Sequence, residues 1–173
     1  MVAAATLYFA YGSNMLSARL CAEERAPSAV KVALATLHGY CLTFDKLGQD
    51  GSGKCHIKTS DLPQSAVHGV VFQIQPADWP MLDAAEDLGQ GYERIWVSVR
   101  DGDRTLSCLT YRALRRQAGL RPFHWYKQLV LAGAREHGLP QEYQDALRRV
   151  ESVQDEDAAR RVRYASLIDR WVQ

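Results

Sequence analysis

The sequence has no long apolar run. None of its segments approaches the ~20 consecutive apolar residues that a membrane helix needs, so no membrane partner is expected. The apolar opening MVAAATLYFAYG has no basic leading segment and does not read as a secretory signal. Charge of one sign is not in excess either. Twenty-one basic residues face 20 acidic ones, for a formal net charge of +1. That balance removes the broad electrostatic reason to expect nucleic acid as a partner. The short basic run RALRR (112–116) reads as a solvated face. Cysteine is sparse: Cys21, Cys41, Cys55 and Cys108 are scattered and form no C-x-x-C. A disulfide scaffold of this size would use more of them, so reduced thiols in a cytoplasmic setting are expected. His38, His56, His68, His124 and His137 show no zinc-ligand spacing with cysteine or carboxylates, and no metal site is expected. There is no repeat, no low-complexity segment and no dividing linker. The 173 residues, 1–173, read as a single domain.

What is present is an ordinary globular composition, 47% hydrophobic and 24% charged. Residues 6–11 (TLYFAY) read as a buried strand, followed by a short helix from Asn14 to about Arg25 with Ser13 or Asn14 as its N-cap. Residues 30–37, 40–44, 55–59 and 67–74 read as strands, and the segment 46–54 as a turn-rich loop. In 76–87, Met81, Leu82 and Ala85 fall at helical spacing. Residues 92–100 and 105–113 alternate and are joined by Asp101-Gly102-Asp103, a hairpin signal. The remainder is helical, with Val162, Ala165, Ile168 and Val172 as the apolar stripe of the last helix. Strands with short helices, then helices, predict an α+β fold: a curled, mainly antiparallel sheet with helices packed on it.

Two motifs could carry chemistry. GQDGSGKC (48–55) fits a phosphate loop except that Cys55 stands where Ser or Thr should be. The following residues alternate as a strand, whereas a phosphate loop opens a helix. It reads as a Gly-rich connection. The second is LYFAYGSNM (7–15). Taken alone it is a strand, a Gly turn and a capped helix. Yet such a turn also exposes backbone N–H groups that suit a carboxylate or a developing oxyanion.

Taken in order, YFAYGSN, RAPSA (25–29), HGY-LTF (38–44), DGSGK, HGVVFQI, LDAAE, a GY pair and the helical WYKQLVLAGAREHGLPQEYQDAL (125–147) resemble the γ-glutamylcyclotransferases over nearly the full length. The resemblance implies a γ-glutamylcyclotransferase-like fold, a mixed, mainly antiparallel β-barrel or sheet with flanking helices and a helical C-terminal region. It implies a small-molecule γ-glutamyl substrate and no cofactor. In that reaction the substrate's own α-amine attacks its γ-carbonyl, closing a five-membered ring and releasing 5-oxoproline and an amine. Holding the chain folded is then much of the catalysis.

The resemblance also implies roles. Glu86 of LDAAE matches the family's catalytic acid/base. Leu82 and Ala85 beside it are expected to desolvate it and raise its pKa. The substrate loop maps to Tyr8, Phe9, Ala10, Tyr11, Gly12 and Ser13, and pocket tyrosines to Tyr92, Tyr111 and Tyr126. For Tyr111 and Tyr126, packing in the core is an equal reading. One residue departs from the pattern: the family often has Gly after this glutamate, and here it is Asp87. A γ-glutamyl-amine, or a γ-glutamyl protecting group on a biosynthetic intermediate, is an alternative substrate, and a non-catalytic binding module on the same fold is a further alternative. Glutathione is the less favoured substrate, because that related group has a different pattern after Y-G-S. Whether the chain is a monomer or a homodimer stays open.

Overall fold

The computed structural model describes residues 5–171. The opening MVAA and Val172 of the expected stripe lie outside the described residues. The architecture is α+β. Five strands close into a barrel in the order β1 (Thr6–Ala10), β5 (Ala66–Ile74), β2 (Val30–His38), β6 (Tyr92–Asp101) and β7 (Arg104–Ala113). The strand β5 is apolar on both faces and lies between two partners, as a fully buried strand must. It pairs antiparallel with β1 (Tyr8 opposite Phe72) and with β2 (Leu34 opposite Val70). The β6–β7 hairpin runs in unbroken register from Tyr92 opposite Ala113 to Asp101 opposite Arg104. Closure comes from β1 running parallel to β7 at Tyr8 and Leu109, and Thr110 Oγ1 adds a 2.7 Å hydrogen bond to the Phe9 carbonyl.

Beside the barrel stands a two-stranded ribbon of β3 (Tyr40–Leu47) and β4 (Gly53–Thr59), with a bulge between Thr43 and Lys46. Its connection is the segment that mimics a phosphate loop. Asp50 there accepts from the Ser52 N–H at 3.0 Å and from Lys54 Nζ at 2.7 Å, so the lysine is engaged within its own turn. The chain continues as β4, and no helix opens from the turn.

The expected helix from Asn14 to Arg25 is much shorter. A 3-10 turn at Ser13–Met15 gives way at Leu16, whose ψ of 115° is extended, to a single helical turn, α1 (Ser17–Leu20). The break lets Met15, Leu16 and Leu20 all bury completely. Met15 and Leu16 pack against α3 (His124–Glu136). The end of α3 grips the same segment: the Ser17 N–H donates to Glu136 Oε2 at 2.8 Å and His137 Nε2 lies 2.8 Å from the Met15 carbonyl. Gly133 permits this approach, since a Cβ there would stand 2.6 Å from the Leu16 nitrogen and 2.7 Å from the Met15 Cβ.

After α2 (Trp79–Ala85), α3 and α4 (Gln141–Arg149), the chain ends in α5 (Ala158–Ile168). Its buried face is the expected stripe only in part. Val162 is 71% exposed and Ala165 is also exposed. Ile168 is buried as expected, and Tyr164, Leu167 and Trp171 pack inward beside it. The reason is aromatic: Tyr164 stacks on Trp125 with centroids 4.0 Å apart and rings 12° from parallel. Asp155 clips the two helices, accepting from Trp125 Nε1 and from Arg160 Nη2, both at 2.7 Å. The arginine's hydrogen bonds hold that carboxyl well below the usual carboxylate range. No described helix is long and apolar enough to cross a membrane.

Candidate active site

The site forms where β1 runs out into the 3-10 turn. Tyr8, Tyr11, Gly12, Ser13, Asn14, Cys55, Glu86, Tyr92, Tyr111 and Tyr126 line one cavity. They come from β1 and the turn after it, β4, the end of α2, β6, β7 and α3, so the site exists only in the folded chain.

Glu86 caps the C-terminus of α2. Its position is set by the turn that follows. The Leu88 N–H bonds the Asp83 carbonyl at 3.0 Å, and the Asp87 N–H bonds the Ala84 carbonyl at 3.1 Å. This is the paired bonding of a Schellman helix end, which needs a left-handed residue after the cap. That residue is Asp87, with φ of +53°, the one non-glycine with positive φ among the described residues. The departure from the family's glycine is therefore a matter of backbone geometry: Asp is among the few side chains that tolerate this conformation.

The carboxylate does not meet the apolar surround expected from Leu82 and Ala85. Glu86 Oε1 accepts from Asn14 Nδ2 at 2.9 Å and from Arg25 Nη1 at 3.0 Å. Asn14 is doubly fixed, since its Nδ2 also donates to the Tyr8 hydroxyl at 3.0 Å and its Oδ1 accepts from Arg25 at 3.0 Å. Glu86 Oε2 has no hydrogen-bond partner among the described residues. Arg25, Asn14 and Glu86 thus form a charge-assisted cluster with one carboxylate oxygen left over.

The 3-10 turn carries a row of donors. The backbone N–H groups of Gly12, Ser13 and Asn14 have no acceptor among the described residues, while the Gly12 carbonyl accepts from Met15 at 3.0 Å. No side chain caps this turn. The expected capping role is not taken up: Ser13 Oγ accepts from Arg19 Nε at 3.0 Å, and Asn14 turns to Glu86. Three consecutive unpaired amides in a cavity are donors ready for an anion.

The tyrosines form the wall, and their hydroxyls are tied into the scaffold. Tyr111 donates to Asp83 at 2.7 Å, and Tyr11 donates to the Tyr111 carbonyl at 2.5 Å. Tyr92 donates to the Cys55 carbonyl at 2.9 Å, and Tyr126 accepts from the Cys55 N–H at 3.1 Å. Burial raises all five of these phenols, Tyr8 included. Burial also pushes the Cys55 thiol up to about 12, so it remains protonated.

Eight of the ten residues expected from the sequence line this cavity. Phe9 and Ala10 do not: both are fully buried in the barrel, away from it. Asn14 and Arg25 are additions. Asn14 lies in YFAYGSN, where it reads as a helix cap, and Arg25 opens RAPSA; nothing local announces that they meet at Glu86.

The AIG2-like family model matches residues 66–147. A gamma-glutamylcyclotransferase from Mus musculus is 35% identical over 151 residues, covering 84% of this chain and 78% of that protein. The Homo sapiens gamma-glutamylcyclotransferase is 32% identical with the same coverage. A solved gamma-glutamyl cyclotransferase structure superposes with a TM-score of 0.82 at 29% identity, covering 96% of this chain and 99% of that one. With this identity over most of both chains and the same fold, the chain belongs to the gamma-glutamylcyclotransferase family, a family of enzymes.

Proposed function

We propose that this chain cyclises γ-glutamyl amides, releasing 5-oxoproline and a free amine or amino acid. The observation that carries the proposal is the pairing, in one cavity, of a fixed carboxylate, Glu86, with three unpaired amides, those of Gly12 to Asn14. In this reading the amides hold the γ-carbonyl oxygen, and they stabilise it as charge develops there. Glu86 Oε2 faces the α-ammonium and takes its proton. The α-nitrogen then attacks the γ-carbon. A nitrogen–carbon bond forms, and the bond from that carbon to the departing nitrogen breaks. Two protons leave the α-nitrogen and two arrive on the released amine, so Glu86 ends as it began.

The tyrosine wall supports the folded substrate conformation that ring closure needs, because flat rings fix its shape with little freedom of their own. Arg25 and Asn14 act through Glu86 as positioning residues. The alternatives of a γ-glutamyl-amine and of a γ-glutamyl protecting group use the same chemistry and differ in the leaving group alone. A purely binding module is disfavoured by the open oxygen of Glu86, which a binder has no need to aim into its cavity. The test is a panel of γ-glutamyl compounds scored for 5-oxoproline. Release from at least one member is expected. Tight binding of γ-glutamyl compounds without release from any member would favour the binding module.

A further inference from the structure

The turn that carries the unpaired amides ends in the break at Leu16, and a broken helix leaves backbone groups without helical partners. One is the Met15 carbonyl. The next helical bonds start one residue later, since the Arg19 and Leu20 N–H groups both go to the Leu16 carbonyl at 3.0 Å. Met15 is fully buried, so its carbonyl needs a partner from the protein. The other is the Ser17 N–H, the first donor of α1, which no side chain of its own segment caps.

Two consecutive residues at the end of α3 satisfy both groups. His137 Nε2 lies 2.8 Å from the Met15 carbonyl oxygen, and Glu136 Oε2 accepts from the Ser17 N–H at 2.8 Å. His137 Nε2 is also 3.4 Å from Glu136 Oε2 and 3.4 Å from Ser17 Oγ. A carbonyl only accepts, so the hydrogen sits on Nε2. The ring is buried, with Phe72 edge-on at 5.8 Å. Burial lowers its pKa; the Glu136 charge and the Met15 carbonyl pull the other way, and Lys31 adds to the fall. The ring is therefore uncharged at neutral pH and still donates.

The backbone fixes this reach. His137 caps the C-terminus of α3, and Gly138 follows with φ of +68°. The Gly138 N–H bonds the Arg135 carbonyl at 3.1 Å and the Leu139 N–H bonds the Ala134 carbonyl at 2.9 Å. This is the same paired bonding that sets Glu86 at the end of α2. One such helix end places the carboxylate, and the other holds the turn that shares its cavity. Met15 is gripped on both sides, because its N–H bonds the Gly12 carbonyl at 3.0 Å while its carbonyl goes to His137. A shift of Met15 moves the Asn14 peptide next to it.

We propose that His137 and Glu136 are positioning residues for the cyclisation: they hold the amides of Gly12 to Asn14 in the orientation that receives the γ-carbonyl oxygen. This rests on the cyclotransferase reading above. Neither residue lines the cavity, so both act through the turn. Donors aimed where charge develops favour the transition state over the bound substrate, so loosening them lowers kcat and spares KM.

The test separates kcat from KM for 5-oxoproline release from γ-glutamylalanine, or from the panel member that the wild type prefers, on the full chain below the melting temperature of each variant. His137→Phe keeps a flat buried ring and removes the donor. Its kcat is expected to fall roughly ten- to a hundredfold, the effect of a small misplacement, with KM within about twofold. His137→Gln keeps an N–H donor and is expected to recover most of the loss. Glu136→Met, which strips the Ser17 N–H of its acceptor, gives the same reading should His137→Phe fail to fold, and Glu136→Gln its rescue. Backbone amide NMR spectra are expected to show the Gly12, Ser13 and Asn14 signals displaced in His137→Phe and restored in His137→Gln. A lower melting temperature with kcat unchanged in the folded variants assigns the pair to stability and overturns the proposal alone. Release of 5-oxoproline from no panel member by the wild type overturns the cyclotransferase reading and the proposal with it.

Discussion

Arg25 Nη1 lies 3.0 Å from Glu86 Oε1 and an equal distance from Asn14 Oδ1, across 61 and 11 residues of sequence. It binds the candidate acid/base to the substrate loop. Without it, Glu86 would keep its place on the backbone but lose the orientation of its carboxylate. Arg25→Leu should lower kcat by roughly 10²-fold, the effect of a small misplacement of a reacting group. Arg25→Lys should recover part of the loss, because a single charged donor remains. Steady-state rates with a thermal melt on each variant distinguish this from simple unfolding.

The tyrosine hydroxyls make a ranking possible. Tyr126→Phe strands the buried Cys55 N–H and should cost about 1–3 kcal/mol of stability. Tyr111→Phe takes one donor from Asp83, which keeps Arg94 at 3.3 Å, and should cost about 0.5–1.5 kcal/mol. Denaturant unfolding of the two variants gives the order directly.

Gly133 connects stability to the site. Gly133→Ala places a methyl group against Met15 and Leu16, one and two residues from the unpaired amides. The expected outcome is a loss of about 1–3 kcal/mol together with reduced turnover. Full activity in a destabilised variant would mean that the substrate loop does not depend on α3.

Asp87 tests the helix end behind Glu86. A β-branched side chain at φ of +53° is strained, so Asp87→Val should lose about 1–2 kcal/mol. Asp87→Gly should be tolerated, with an equal or higher Tm. Paired melts of the two variants check the assignment.

The barrel was legible in the sequence because its strands alternate or run apolar at the right lengths, and Gly102 marks the hairpin. The helices were legible where one face dominates. Three features were not. The break at Leu16 depends on α3, more than a hundred residues away, offering a glycine for close approach. The inward face of α5 follows Tyr164 stacking on Trp125, which a count of aliphatic residues passes over. Lys46 looked like a loop residue because a bulge, invisible to periodicity, turns it inward. At the site, the motif residues pointed to the cavity, but Phe9 and Ala10 are fully buried in β1 and do not line it. Asn14 and Arg25 entered only through tertiary contact with Glu86.

The most direct measurement is 5-oxoproline release from γ-glutamylalanine by the wild type and by Glu86→Gln. The glutamine keeps the shape and an acceptor for Asn14 but cannot carry the proton. The account predicts a fall in kcat of roughly 10²–10⁴-fold at an unchanged melting temperature. Full turnover by folded Glu86→Gln would contradict it.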